Sequence, residues 1–105
     1  MTIDTTGLSN LIAYCFAQAR NTTLGEDEQQ SFLNLAQHLR GDLLDALAAD
    51  FGEDNQAVGE LNAQLDALAA SVENEAATEA SYAAAIAKIT AAVNVLDKIL
   101  AAAKG

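Results

Sequence analysis

The chain is poor in the residues on which most catalysis and most covalent stapling depend. It has one cysteine, one histidine, few aromatics, and five lysines and arginines against fifteen aspartates and glutamates. A lone Cys15 cannot close an intrachain disulfide, so the sequence predicts a reducing, cytoplasmic setting. A net charge of −10 repels nucleic-acid phosphate, whose recognition rests on clustered Lys and Arg, so no nucleic-acid partner is expected. No run of about 18 charge-free apolar residues is present, and the first residues, MTIDTTGLSN, lack a basic region leading into an apolar one. A soluble chain with neither a membrane span nor a secretory signal is expected.

Catalytic and metal-binding patterns are equally sparse. Cys15 and His38 could be drawn as a nucleophilic pair between the first two helices. However, Cys15 shares an apolar face with Leu11, Ile12 and Phe16, where a thiol acts as a small inert hydrophobe. His38 falls on a polar strip and is expected to face water. No glutamate precedes a histidine by three residues, as carboxylate-bridged two-metal bundles require. There is no calcium-loop pattern, phosphate-cradling Gly-rich loop or serine nucleophile elbow. Glu75 and Glu79, one turn apart, read as a charged break rather than a cation site. The sequence therefore predicts no enzyme, no cofactor and no metal.

What is present is helical periodicity in a chain of 105 residues that is 51% hydrophobic, enough for one domain with a core mainly of Leu, Ile and Val. Leu8, Leu11, Ile12, Cys15, Phe16 and Ala19 recur at three- and four-residue spacing, with Thr6 as a candidate N-cap and Arg20 suited to the last turn. Thr23-Leu-Gly-Glu26 has the form of a capping box, and Glu26, Asp27 and Glu28 favour the first turn of a second helix. That helix should run to about Asp50 and end at Phe51-Gly52. Gly41 interrupts it, which suggests a kink or a close helix contact.

On this second helix Phe32, Leu35, Ala36, Leu39, Leu43, Ala46 and Leu47 form one apolar stripe. A second row, Leu33, Gln37, Arg40, Leu44, Ala48 and Phe51, turns apolar only from Leu44 onward. Ser31, Asn34, His38, Asp42 and Asp45 make the polar strip. The broad apolar arc of the last two turns exceeds what one neighbour covers, and marks either the bundle centre or a subunit interface.

After a loop at Gly52-Glu-Asp-Asn55, with Asp54 or Asn55 as cap, Val58, Leu61, Leu65, Leu68 and Val72 form a heptad seam. Tyr82, Ile86, Ile89, Val93, Leu96 and Leu100 continue in the same phase, with Val95 and Ile99 widening the face. Between them lies SVENEAATEASY, without Gly or Pro. Its good helix formers and unbroken phase favour one rod from about 55 to 103. Its seam glutamates, costly to bury, favour a turn, with Asn74 or Thr78 starting a new helix. The turn is the preferred reading.

The expected fold is all-α, an antiparallel three- to four-helix bundle with helices over 7–20, 24–50, 55–73 and 79–103, the last two alternatively one long helix. Residues 1–79 hold fourteen acids and two bases, net −12, whereas residues 80–105 hold one acid and three lysines, net +2. The last segment can therefore pair with the rest. Its amphipathic pattern also admits a membrane-active reading, which the acidic chain and a charge-poor polar face disfavour.

The functional expectation is a small acidic helical interaction protein, such as an adaptor, regulator or chaperone-like partner, that self-associates or binds another protein. Leu33, Leu44 and Phe51 are the candidate contact residues. The alternative is an acidic inhibitor or immunity-type protein holding a basic partner through Asp42, Asp45, Glu53, Asp54 and Glu60. Its high Ala content associates the chain with a bacterial source.

Overall fold

A computed structural model describes residues 2–49, 55–74 and 78–104. It contains α1 (Thr5–Ala19), α2 (Glu26–Ala48), α3 (Gln56–Asn74) and α4 (Glu79–Lys104), and no strand among the described residues. The all-α helical bundle expected from periodicity is the observed fold.

Each helix start has a local cause. The Asp4 carboxylate, rather than Thr6, caps α1, with Oδ1 accepting from the Gly7 amide at 2.9 Å. The Asp4 amide donates to Asn62 Oδ1 at 2.7 Å, and Asn62 Nδ2 donates to the Thr2 carbonyl at 2.9 Å, so the cap is pinned to α3. Asp4→Ala removes this cap and should cost about 1 kcal/mol in urea-monitored unfolding. An effect below a few tenths would show that α1 does not need it.

The capping box expected at Thr23 and Glu26 does not form. Gly25 is the N-cap of α2 and makes no side-chain cap, while the Thr23 hydroxyl donates to Asn21 Oδ1 at 2.6 Å. Asn21 competes successfully for Thr23 because it organises the whole turn. Its carbonyl also accepts from Gln29 Nε2 at 2.7 Å, and its side-chain amide donates to Gln18 Oε1 at 2.9 Å. Asn55 Oδ1 accepts from the Val58 amide at 3.2 Å, and Thr78 Oγ1 accepts from the Ser81 amide at 3.2 Å, as the sequence predicts for α3 and α4. α2 ends at Ala48; Phe51 and Gly52, expected to end it, lie outside the described residues.

SVENEAATEASY therefore contains a break, with α3 ending at Asn74 and α4 opening at Glu79. A continuous helix over 55–103 would measure about 73 Å at 1.5 Å per residue, but the molecule extends only 43 × 22 × 18 Å. The rod is excluded. Lys88 Nζ lies 3.5 Å from Ser71 Oγ, and Leu68 and Ala91 share one groove, so α3 and α4 run antiparallel as a hairpin. Glu75 lies outside the described residues.

The packing is only partly antiparallel. α1 packs on α2 and α3, α4 packs on α2 and α3, and α2 and α3 sit diagonally without contact. From Asp4–Asn62 to the close approach of Gly7 and Leu65, both chains advance together, so α1 and α3 are parallel. α2 and α4 are parallel too, since Phe32 meets Tyr82 and His38 meets Asp97. The short connections at 20–25 and 75–78 force antiparallel neighbours. The seven residues 49–55, at about 3.3 Å each, are long enough to cross the roughly 14 Å diagonal between helices spaced about 10 Å apart.

One core joins Leu8, Leu11 and Cys15 of α1, Phe32, Ala36, Leu39 and Ala46 of α2, the α3 seam of Val58, Leu61, Leu65 and Leu68, and Ala85, Ile89, Val93, Leu96 and Leu100 of α4. Phe32 sits at its centre, edge-on to Tyr14 at 5.7 Å and to Tyr82 at 6.3 Å, so that one ring touches three helices. Three expectations are corrected here. Leu47 is 65% exposed rather than in the stripe, and Val95 is 39% exposed rather than packed. Gly41 is exposed, with open space where a Cβ would stand, so it marks no kink-forming contact within the bundle.

The lengths of the helices explain Leu47. α1 has 15 residues and α2 has 23. Packed antiparallel from the turn at 20–25, with Tyr14 opposite Phe32, α1 begins opposite the region of Arg40. The last two turns of α2 overhang it by about 12 Å at 1.5 Å per residue.

Candidate functional site

Two features of α2 stand out, on different sides of the helix. The first faces α4. His38 and Asp42, four residues apart, lie one above the other on one helix face, and Asp97 of α4 meets them. His38 Nε2 is 2.8 and 3.0 Å from the two Asp97 oxygens and 3.4 Å from Asp42 Oδ2. One ligating atom from each of the three residues lies within 4.8 Å of the others. The cluster grades from wet to dry: the His38 side chain is 50% exposed, that of Asp97 39%, while Asp42 keeps 8% of its surface.

Asp42 is the buried charged residue among the described ones, which corrects its place in the acidic surface inferred from sequence. Its Oδ2 is fully enclosed and has no hydrogen-bond partner. Burial foremost, then hydrogen bonding to Asp97 and the charges of Asp97 and Asp45, push its carboxyl up to about 7, against the pull of His38. His38 is raised chiefly by its hydrogen bond to Asp97, with the Asp42 and Asp97 charges adding and desolvation opposing. For Asp97, desolvation acts upward, but hydrogen bonds with Asp42 and His38 and the imidazole charge outweigh it and hold the carboxyl low.

The cysteine-histidine pair is not assembled. Cys15 is wholly buried in the core, where desolvation pushes its thiol up to about 12, and His38 engages α4 instead. Periodicity missed the three-residue cluster because a polar strip on an isolated helix reads as solvated. Two signals were available: His38 is the single histidine, and Asp97 is the single acid of the otherwise basic residues 80–105.

The second feature points outward. Gln37, Arg40, Gly41, Leu44, Leu47 and Ala48 are all exposed, and Leu44 and Leu47 each keep 65% of their surface. Gln37, Gly41, Leu44 and Ala48 are spaced four, three, four, a heptad stripe turned to solvent. Among the described residues no acid is exposed between Gln37 and Ala48, since Asp42 is buried and Asp45 half-buried. Of the other candidate contact residues, Leu33 is half-buried and lines a separate surface pocket with Ala19, Glu26 and Gln29, while Phe51 lies outside the described residues. Glu60 is exposed on α3; Glu53 and Asp54 lie outside the described residues.

No protein family, no characterised protein and no solved structure matches the chain. No described helix is long and apolar enough to cross a membrane. The geometry of α2 therefore carries the functional reading.

Proposed function

We propose that the protein is a helical interaction module that docks through the exposed face of α2, and that the occupant is the same face of a second copy. The observation that carries this is the overhanging pair Leu44 and Leu47, each 65% exposed on a helix whose other large apolar side chains are buried or half-buried. Exposed apolar area of this kind is stabilised by burial at about 25 cal/mol per Å².

Self-docking is supported by the shape and charge of the stripe. When two α2 helices pack antiparallel, heptad layers place Leu44 of each copy against Gly41 of the other, and Ala48 against Gln37. The space above Gly41 is open, so a leucine can fill it. Leu47 then lies along the aliphatic stem of Arg40, whose charge stays in water. Among the described residues no acid is exposed between Gln37 and Ala48, so two chains of net −10 meet there without carboxylates facing each other. A free buried thiol suits work in a reducing cytoplasm.

A single helix pair covers less than the roughly 800 Å² per partner of a standard interface, so the association belongs in the micromolar range or weaker. Sedimentation equilibrium in EDTA, from about 10 μM to 1 mM, tests the reading. The wild type should approach twice its 10.9 kDa chain mass, and Leu44→Glu should remain monomeric with unchanged helical content. Added salt should tighten the dimer by screening the like charges. Equal masses for the two proteins across the range would remove the proposal. The inhibitor reading, which has lost Asp42 from its surface, requires salt to weaken binding instead.

A further inference from the structure

Asp42 sits badly in the bundle on its own terms. A buried carboxylate oxygen without a partner costs free energy that a well-packed leucine in its place would not. Its Oδ2 points at the His38 imidazole, whose Nε2 already bonds both oxygens of Asp97 at 2.8 and 3.0 Å. Three ligating atoms thus gather within 4.8 Å of one another, from one turn of α2 and from α4, and one of them, Asp42 Oδ2, is enclosed without a hydrogen-bond partner.

We propose that His38, Asp42 and Asp97 form a binding site for one divalent first-row transition ion of the zinc type. Imidazole nitrogen and carboxylate oxygen lie about 2.0–2.2 Å from zinc, so adjacent ligand atoms are separated by about 3.0 Å at right angles and about 3.4 Å at the tetrahedral angle. The separations from His38 Nε2, 2.8, 3.0 and 3.4 Å, already match that spacing to within a few tenths. The ion would take the place of the proton on Nε2, with all three ligating atoms already within 4.8 Å of one another.

The donor set selects the class of ion. A neutral imidazole with two carboxylates carries a formal charge of −2, which a divalent cation balances. Calcium and magnesium favour all-oxygen shells of six or more ligands, and a nitrogen donor with two carboxylates suits zinc, manganese, iron or cobalt better. His38 and Asp42 are one turn apart, the spacing at which two side chains of one helix can bind one metal. Asp97 closes the set from the neighbouring helix. The half-exposed His38 and Asp97 give the ion a path from solvent and leave its remaining positions to water, while Asp42 anchors it from the dry side. The ion would tie α2 to α4, on the side of α2 away from Leu44, so this site does not depend on the docking proposal.

Zinc titration of the EDTA-stripped chain, in the Leu44→Glu background to exclude bridging between copies, tests the site by calorimetry and NMR. One zinc per chain is expected, together with movement of the imidazole resonances of His38, which report this site alone because the chain has no other histidine. Asp42→Asn and Asp97→Asn, with helical content intact, should bind at least about tenfold more weakly. Millimolar magnesium should not compete. Zinc binding equally well to Asp42→Asn, or His38 resonances that stay fixed while zinc binds, would overturn the assignment.

Discussion

Phe32→Ala should lower the free energy of unfolding by about 3–5 kcal/mol, the largest single loss that a side-chain truncation in this bundle is expected to produce. The ring is fully buried and is the largest of the fully buried side chains. It contacts Tyr14 and Tyr82 edge-on at interplanar angles of 82° and 88°, so its loss leaves a cavity shared by α1, α2 and α4. Each aromatic pair adds about 0.5–1.5 kcal/mol beyond area burial, so deletion loses packing on two sides. A domain of this size holds about 5–15 kcal/mol in total, so the substitution removes a large share of the stability. Urea denaturation followed by circular dichroism should show a large fall in midpoint at unchanged slope. Leu44→Ala, on the exposed face, should move the midpoint little at concentrations where the chain is monomeric. A loss below about 1 kcal/mol for Phe32→Ala would mean that the ring is not where three helices meet.

Asp42→Asn should make the metal-free protein more stable at pH 8 and should flatten its response to pH. The Asp42 carboxyl is raised in the folded state from 3.8 to about 7, first by burial and then by Asp97. A raised acid binds its proton more tightly when folded. Its contribution is therefore fully present below pH 3.8 and is lost as pH climbs through about 7. His38, raised above 6.5, acts in the same direction, its contribution fading at pH above its folded value. Asp97, lowered below 3.8, loses its contribution only in strong acid and does not oppose them in this window. In EDTA the wild type should thus lose stability between pH 5 and pH 8. The asparagine variant, nearly the same shape and without a charge to bury, should keep only the shallower His38 dependence. Thermal melts across that range check both statements. A flat wild-type profile, or an asparagine variant less stable at pH 8, would contradict the electrostatic account of the cluster.

The sequence carried the helices well because each has a broad apolar stripe, and the α3 seam of Val58, Leu61, Leu65 and Leu68 is buried residue by residue as its heptad spacing implies. At the starts of α3 and α4 the cap is one of the two residues that the sequence offered, Asn55 rather than Asp54 and Thr78 rather than Asn74. The starts of α1 and α2 were missed because a neighbouring side chain takes over: Asp4 caps in place of Thr6, and Asn21 draws Thr23 away from its box. The turn preferred over the rod in SVENEAATEASY is the observed arrangement, and the unbroken phase misled because phase agreement costs nothing to retain across a turn.

The functional side chains were legible only in part, for a reason of the same kind. Leu44 was visible as excess apolar width at the end of α2, but Leu47 was not, since its exposure follows from the shortness of α1 rather than from its own neighbours. Asp42 looks like any acid on a polar strip until α4 lies across it. Parallel packing of α2 on α4 brings Asp97 to that strip, and the diagonal placement of α2 and α3 is not encoded in any local pattern. Tertiary arrangement, not helix formation, was the hidden step.

The α2 docking face is most directly tested by diluting isotopically labelled wild-type protein from about 1 mM to 10 μM in EDTA while recording backbone amide spectra. Concentration-dependent shifts are expected, concentrated at Gln37, Arg40, Gly41, Leu44, Leu47 and Ala48 and abolished in Leu44→Glu. Spectra that do not change on dilution would contradict this expectation. So would shifts confined to the shallow groove of Ala67, Leu68 and Ala91 between α3 and α4.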